Sequence, residues 1–224
     1  MIKILLIILI LVALDTIINK TIDRFSDENS NNIKYIMTDE EIYYPIVDNG
    51  QKLEYSRFNY ITKEVQHQYA KDIMKQVTSN HPKILVLGVA LGGILINILD
   101  KYPKAKVVGV DITDEYFDLV RTYSDTSRLI LIKDDAEHYI KNSNINMFDI
   151  IICDIFDGLS IPTFVLSKPF LDKINRMILP NGKFVINTIS INDNMIQNIL
   201  SKSFTNKKIK HTNLEANSVY TVFF

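Results

Sequence analysis

The hydrophobic pattern changes period twice along the chain. Residues 4–14, ILLIILILVAL, are uninterrupted apolar positions with no polar face, after which Asp15 breaks the run. Residues 26–32, SDENSNN, are polar without periodicity and read as a linker. β-rich runs at 33–37 and 42–47, then Asp48-Asn49-Gly50 and residues 51–55, predict a small antiparallel module closed by a hairpin turn. Between 60 and 78 the apolar residues Ile61, Val65, Tyr69, Ile73 and Val77 recur every four positions, predicting a helix.

From Lys83 onward, short apolar runs alternate with helical periods. Strands are predicted at 84–88, 106–111, 129–133, 148–154 and 183–188, with helices at 92–101, 114–123, 135–142, 163–177 and 192–201. Such alternation builds a parallel sheet with helices on both faces. The end departs from it. Strands near 207–211 and at 219–224, joined by a polar connection, predict an antiparallel hairpin on the sheet edge. The expected organisation is a hydrophobic targeting or anchor segment at 1–24, a linker at 25–32, a β-module at 33–60 and an α/β domain at 61–224.

Composition narrows the chemistry. A net charge of −1, with no block of basic residues, gives no electrostatic case for nucleic acid. The single cysteine, Cys153, lies in the apolar run FDIIICDIF, where a small buried hydrophobe is the default, and it permits no internal disulfide. Histidines at 67, 81, 138 and 211 share no helical ligand spacing, so no metal site is expected. The apolar run 4–14 is short for a spanning helix, which needs about 20 residues. It matches the h-region of a signal peptide in length, although a small-x-small cleavage site is missing. Membrane association through this segment is the expectation, with secretion after cleavage as the alternative. Orientation stays open, since Lys3 flanks one side and Lys20 and Arg24 the other.

Candidate chemistry gathers at predicted strand ends. KILVLGVALGG, residues 83–93, runs from a buried strand through Gly88, Gly92 and Gly93 into a helix, a turn suited to close backbone approach and to the free N–H groups of a helix start. Asp111 ends the second strand about 20 residues later, where an acid accepts from ribose hydroxyls; the alternative is capping of the next helix. Asp135 opens the helix after the third strand, placed to accept from the exocyclic amine of a base, with Ala136 leaving room for a flat ring; capping is equally open. Asp154 and Asp157 follow the fourth strand and should project into the same crevice, unless they serve as loop acids beside Gly158. A carboxylate there can position a bound amine or remove its proton.

From about Ile33 to its end the chain resembles the spermidine synthase-like branch of the class I S-adenosylmethionine-dependent methyltransferases. The residues carrying the resemblance are the glycine turn, Asp111, Asp135-Ala136, the Asp154-x-x-Asp157 pair, and Leu179-Pro180-Asn181-Gly182, which is similar to the family's Pro-Gly-Gly turn before strand five. The resemblance implies a Rossmann-like class I methyltransferase sheet with a C-terminal antiparallel hairpin, preceded by a small N-terminal β-module. It further implies S-adenosylmethionine or its decarboxylated form at Gly88, Gly92, Gly93, Asp111, Asp135 and Ala136, with Asp154 and Asp157 as catalytic acids. It implies a small-molecule or protein acceptor, allows a homodimer, and makes a cytosolic catalytic domain the expectation.

Two departures bear on function. Polyamine synthases carry an acid within Gly-Gly-Gly-Asp-Gly-Gly, where Val89, Ala90 and Leu91 stand here. Their Tyr-His-Glu motif is absent, Gln66-His67-Gln68-Tyr69 being the nearest stretch. These losses favour a methyltransferase over an aminopropyltransferase, and leave room for a catalytically inactive, tethered partner-binding domain.

Overall fold

The computed structural model describes residues 23–26, 33–48, 51–78, 82–143, 148–158, 160–189, 192–214 and 216–224. The chain divides into two units, Met1–Glu64 and Val65–Phe224. In the first, β1 (Asp23–Ser26), β2 (Ile33–Met37), β3 (Glu41–Asp48) and β4 (Gln51–Asn59) form a four-stranded antiparallel sheet in chain order. Strands β3 and β4 pair out to Asp48 opposite Gln51, the register required by a two-residue Asn-Gly connection. Arg57 ties the sheet across strands, its guanidinium donating to Glu41 and Glu54.

Two expectations change here. Phe25 and Ser26, read as linker, belong to β1 and pair with β2. The membrane-associated location has to be withdrawn: no helix among the described residues is long and apolar enough to cross a membrane. The apolar run 4–14 itself lies outside the described residues.

The second unit is built on strands β5 (Lys83–Leu87), β6 (Lys106–Asp111), β7 (Leu129–Lys133), β8 (Phe148–Cys153), β9 (Ile178–Ile189), β10 (Lys208–Asn213) and β11 (Asn217–Phe223). They form one sheet in the order β10-β11-β9-β8-β5-β6-β7. Strands β5 to β9 pair parallel, while β11 runs antiparallel to both β9 and β10. The chain lays down β5, β6 and β7 in one direction, then returns to place β8 on the other side of β5. The strand order therefore reverses between β5 and β8, where sheets of this kind open a crevice beyond the strand ends.

Helices α1 (Gln68–Met74), α2 (Gly93–Lys101), α3 (Phe117–Tyr123), α4 (Ala136–Asn142), α5 (Lys168–Met177) and α6 (Asp193–Ser203) complete the unit. Alternation along the strands sorts the apolar residues between two faces. Leu85, Leu87, Ile151, Cys153, Phe184 and Ile186 join Ile140 of α4, Phe170, Leu171 and Ile174 of α5, and Ile196 and Leu200 of α6 in one core. Ile84, Val86, Ile150 and Ile152 occupy the intervening positions and are at most 3% exposed. A strand buried on both faces reads as a continuous apolar run, and this is why β5 and β8 are spelled KILVL and FDIIIC.

Several boundaries differ from the sequence reading. The helix expected at 60–78 begins only at Gln68, because the Asn59 side chain accepts from the Ile61 and Thr62 N–H groups and holds a turn, with Lys63 at φ 60°. The helix expected at 163–177 is a 3-10 turn, Thr163–Leu166, followed by α5, with Ser167 capping α5 through Phe170 N–H. Residues 179–182 lie within β9 rather than before it, with Asn181 at φ 67° marking the bend.

Candidate functional site

The site starts from the glycine turn at the end of β5. Gly88 has φ +86° and donates its N–H to Val110 O of β6 at 2.9 Å. A Cβ there would lie 2.1 Å from the Asp154 carbonyl oxygen, so the turn packs main chain on main chain against the end of β8. Gly92, at φ +80°, precedes α2, and a Cβ on it would meet Val120 Cγ2 at 2.3 Å. Both glycines are thus demanded by the protein's own packing. Gly93 is buried as the first residue of α2. Ala90 sits at the turn's tip with φ 47°, half-buried, while Leu91 beside it is wholly buried.

Because β5, β6, β7 and β8 are parallel neighbours, the residues that follow them stand along one edge of the sheet. Asp111 closes β6 with its carboxylate turned onto the glycine loop. Its Oδ2 accepts from Val89 N–H at 2.7 Å and Ala90 N–H at 3.1 Å, and its Oδ1 accepts from Thr113 N–H at 3.0 Å. A carboxylate has about four acceptor positions, so three backbone donors leave Oδ1 able to take one more. Asp135 is the N-cap of α4, with Oδ1 accepting from Glu137 N–H at 2.7 Å and His138 N–H at 3.3 Å. Neither bond uses Oδ2. The preceding Asp134 binds His138 Nδ1 at 2.9 Å. Ala136 is partly buried and packs against the apolar core.

Asp154 is surrounded differently. Its N–H extends the ladder to Leu87 O at 2.8 Å, and its Oδ1 accepts from Asn187 Nδ2 at 2.9 Å. Among the described residues nothing hydrogen-bonds to Oδ2. Loss of hydration raises the carboxyl to a pKa of about 6, and the Asn187 bond opposes that rise. Burial likewise pushes up the pKa of the neighbouring Cys153 thiol, which keeps it a packing group. Asp157 is exposed, in a tight turn where its N–H and carbonyl exchange hydrogen bonds with Ser160 and Gly158 follows at φ 57°. Asp111, Asp135 and Asp154 therefore share one sheet edge, and Asp157 stands on the loop beyond it.

Sequence reasoning missed three participants. Asn187 of β9 is 2% exposed and holds Asp154, while Asn217 of β11 donates to Asn187 Oδ1 at 3.2 Å. An asparagine inside the run KFVINTI was the available signal, since a polar side chain in a buried strand needs a partner. Ile112, directly after Asp111, is 71% exposed, an apolar side chain left open beside the acid.

Comparisons with known proteins agree with this architecture. The profile of a family described as methyltransferase domain matches residues 78–223. Spermidine synthase 2 of Arabidopsis thaliana is 30% identical over 112 residues, covering 46% of this chain and 33% of that protein. Polyamine aminopropyltransferase 1 of Aquifex aeolicus is 26% identical over 142 residues, 59% of this chain and 50% of that protein. The chain thus spans half or less of the length of these two relatives. Among solved structures, a probable spermidine synthase from Corynebacterium glutamicum superposes with a TM-score of 0.69 at 15% identity, covering 90% of this chain and 79% of that one. Human methyltransferase-like protein 13, solved in complex with SAH, gives 0.61 at 17% identity, over 70% and 82%. These two share the fold. The chain belongs to the methyltransferase-domain family. Within it, the chain is similar to spermidine synthase and polyamine aminopropyltransferase over about half of its own length.

Proposed function

We propose that this chain is an S-adenosylmethionine-dependent transferase whose working acid is Asp154, and that it transfers a methyl group to a small-molecule or protein acceptor. The observation that carries the proposal is the state of Asp154: beside the β5–β8 switch point, one oxygen held by Asn187, the other open, and a pKa of about 6. A carboxylate poised near neutrality can take a proton in the working range.

The donor set suits an adenosyl group. Asp111 Oδ1 retains room for one ribose hydroxyl, and Asp135 Oδ2 is open to an exocyclic amine. Ile112 offers an exposed apolar surface for the flat base, Ala136 would border it, and the turn of Gly88, Gly92 and Gly93 would line the amino-acid end. When bound, S-adenosylmethionine supplies a methyl group already activated on a sulfonium, so alignment is the main task left to the protein. Asp154 Oδ2 would receive the proton released by an acceptor N–H or O–H. The acceptor would bring the lone pair for the new bond, and the donor would keep the carbon–sulfur pair as a thioether. Asp157 would stand at the acceptor entrance.

A second reading, aminopropyl transfer from decarboxylated S-adenosylmethionine with Asp154 as base, draws support from the relatives, which include polyamine aminopropyltransferases. Against it, the wholly buried Leu91 occupies the part of the turn where polyamine synthases carry an acid, so this turn offers no carboxylate to an unmasked amine. Calorimetry on the full chain with both nucleotides separates the readings. Binding of S-adenosylmethionine at least about tenfold tighter than of its decarboxylated form, and lost in Asp111→Ala, supports methyl transfer; each tenfold corresponds to about 1.4 kcal/mol. The reverse preference, with spermidine formed from putrescine, supports the second reading. Binding of neither overturns both.

A further inference from the structure

The amide that holds Asp154 is itself held. Asn187 lies opposite Val219 and Asn217 opposite Ile189, so the two asparagines project from the same face of adjacent antiparallel strands. Asn217 Nδ2 donates to Asn187 Oδ1 at 3.2 Å, and Asn187 Nδ2 donates to Asp154 Oδ1 at 2.9 Å. An asparagine amide has a donor end and an acceptor end of nearly equal size, and only its partners decide which way it faces. Here Asn217 engages the acceptor end and so turns the donor end toward the carboxylate. The result is a directional chain across β11, β9 and β8 that ends on one oxygen of the acid.

We propose that Asn187, its orientation locked by Asn217, is a positioning residue that favours the ionised form of Asp154 and leaves Oδ2 as the single working oxygen. This rests on the reading of Asp154 as the group that takes the acceptor's proton. Donation by a neutral amide stabilises a carboxylate against its own burial, which otherwise favours the protonated acid. Among the described residues, the other elements against Asp154 add no charge. Gly88 and Leu87 of β5 meet its main chain, and the thiol of Cys153 on β8 is kept protonated by burial. One oxygen fixed and one open also means a single direction of proton transfer.

The test is a carboxyl-carbon NMR titration of the ligand-free full chain labelled at aspartate, with Asp154 identified by the resonance missing from Asp154→Asn. Asn187→Leu, close in shape but without a donor, should make Asp154 about tenfold weaker as an acid. Asn217→Ala, at a half-buried position, should move it the same way by about threefold, because the Asn187 amide is then free to turn. An unchanged midpoint in Asn187→Leu overturns the proposal. If that variant does not fold, an unchanged midpoint in Asn217→Ala overturns it instead. The titration needs no substrate, so it is separable from turnover. Normal turnover by Asp154→Asn would sink the catalytic reading while leaving the amide chain intact.

Discussion

Two carboxylates at the ends of β6 and β8, the strands that flank β5, are held in opposite ways. Asp111, at the end of β6, is satisfied by three backbone N–H groups, two from the glycine turn and one two residues on. Among the described residues the Asp154 carboxylate, after β8, receives one hydrogen bond, from a side chain 33 positions away on β9. The first arrangement makes a carboxylate part of a turn, pinning the main chain of Val89 and Ala90. The second leaves a half-buried carboxylate with a single partner among the described residues, so that its protonation state is what the surroundings control. A sheet edge can thus supply both a fixed anchor and a titrating acid from the same residue type, and the difference lies in who donates.

The largest test of that contrast is Asp154→Asn, which should lower turnover by about 10²- to 10⁴-fold while nucleotide binding, measured by calorimetry, stays within about threefold. Equal loss of binding would erase the distinction between anchor and acid. Next comes Gly88→Ala. A side chain there meets the Asp154 carbonyl and imposes about 1–3 kcal/mol of backbone strain before any clash is counted, so the melting temperature should fall by many degrees or the chain should fail to fold.

Stability against pH gives a third test, with the sign set by burial. The folded pKa of Asp154 lies near 6, above an unfolded value near 3.8. The folded chain therefore binds more protons than the unfolded chain between these values. Its contribution to stability is fully present below about pH 4 and is lost as pH rises through about 6, by about 2–3 kcal/mol. Urea denaturation from pH 4 to 7, wild type against Asp154→Asn, should show that slope only in the wild type; matching slopes would remove Asp154 as its source. The smallest effect is Asp135→Ala, where loss of an exposed N-cap should cost about 1 kcal/mol of stability by the same measurement. If it costs nothing, Asp135 is no structural counterpart of Asp111.

Much of the second unit could be read directly from the pattern. Strand 129–133 is matched to the residue by β7, and strands buried on both faces announced themselves as apolar runs between glycine and acid. What escaped did so for identifiable reasons. Asn59 diverts the chain into a side-chain-held turn that competes with helix, and periodicity does not register such bonds. The strand β1, DRFS, straddles the expected boundary between the segment 1–24 and the linker, and only its partner strand reveals it. For the candidate site, the strand-end positions of Asp111, Asp135 and Asp154 followed from counting elements. The partners of these acids did not. That Asp111 would hold Val89 and Ala90, and that Asn187 and Asn217 would stand in line with Asp154, depends on register between strands far apart in the chain.

The Cα of Gly88 rests directly on the carbonyl of Asp154, with no side chain between them. The gap between the glycine turn and Asp154 is consequently a backbone dimension, as rigid as the pairing of β5 with β8. Side-chain changes at Asn187 of β9 or Asn217 of β11 would then retune the acid while leaving that distance unchanged. Any side chain at position 88 would alter that distance first.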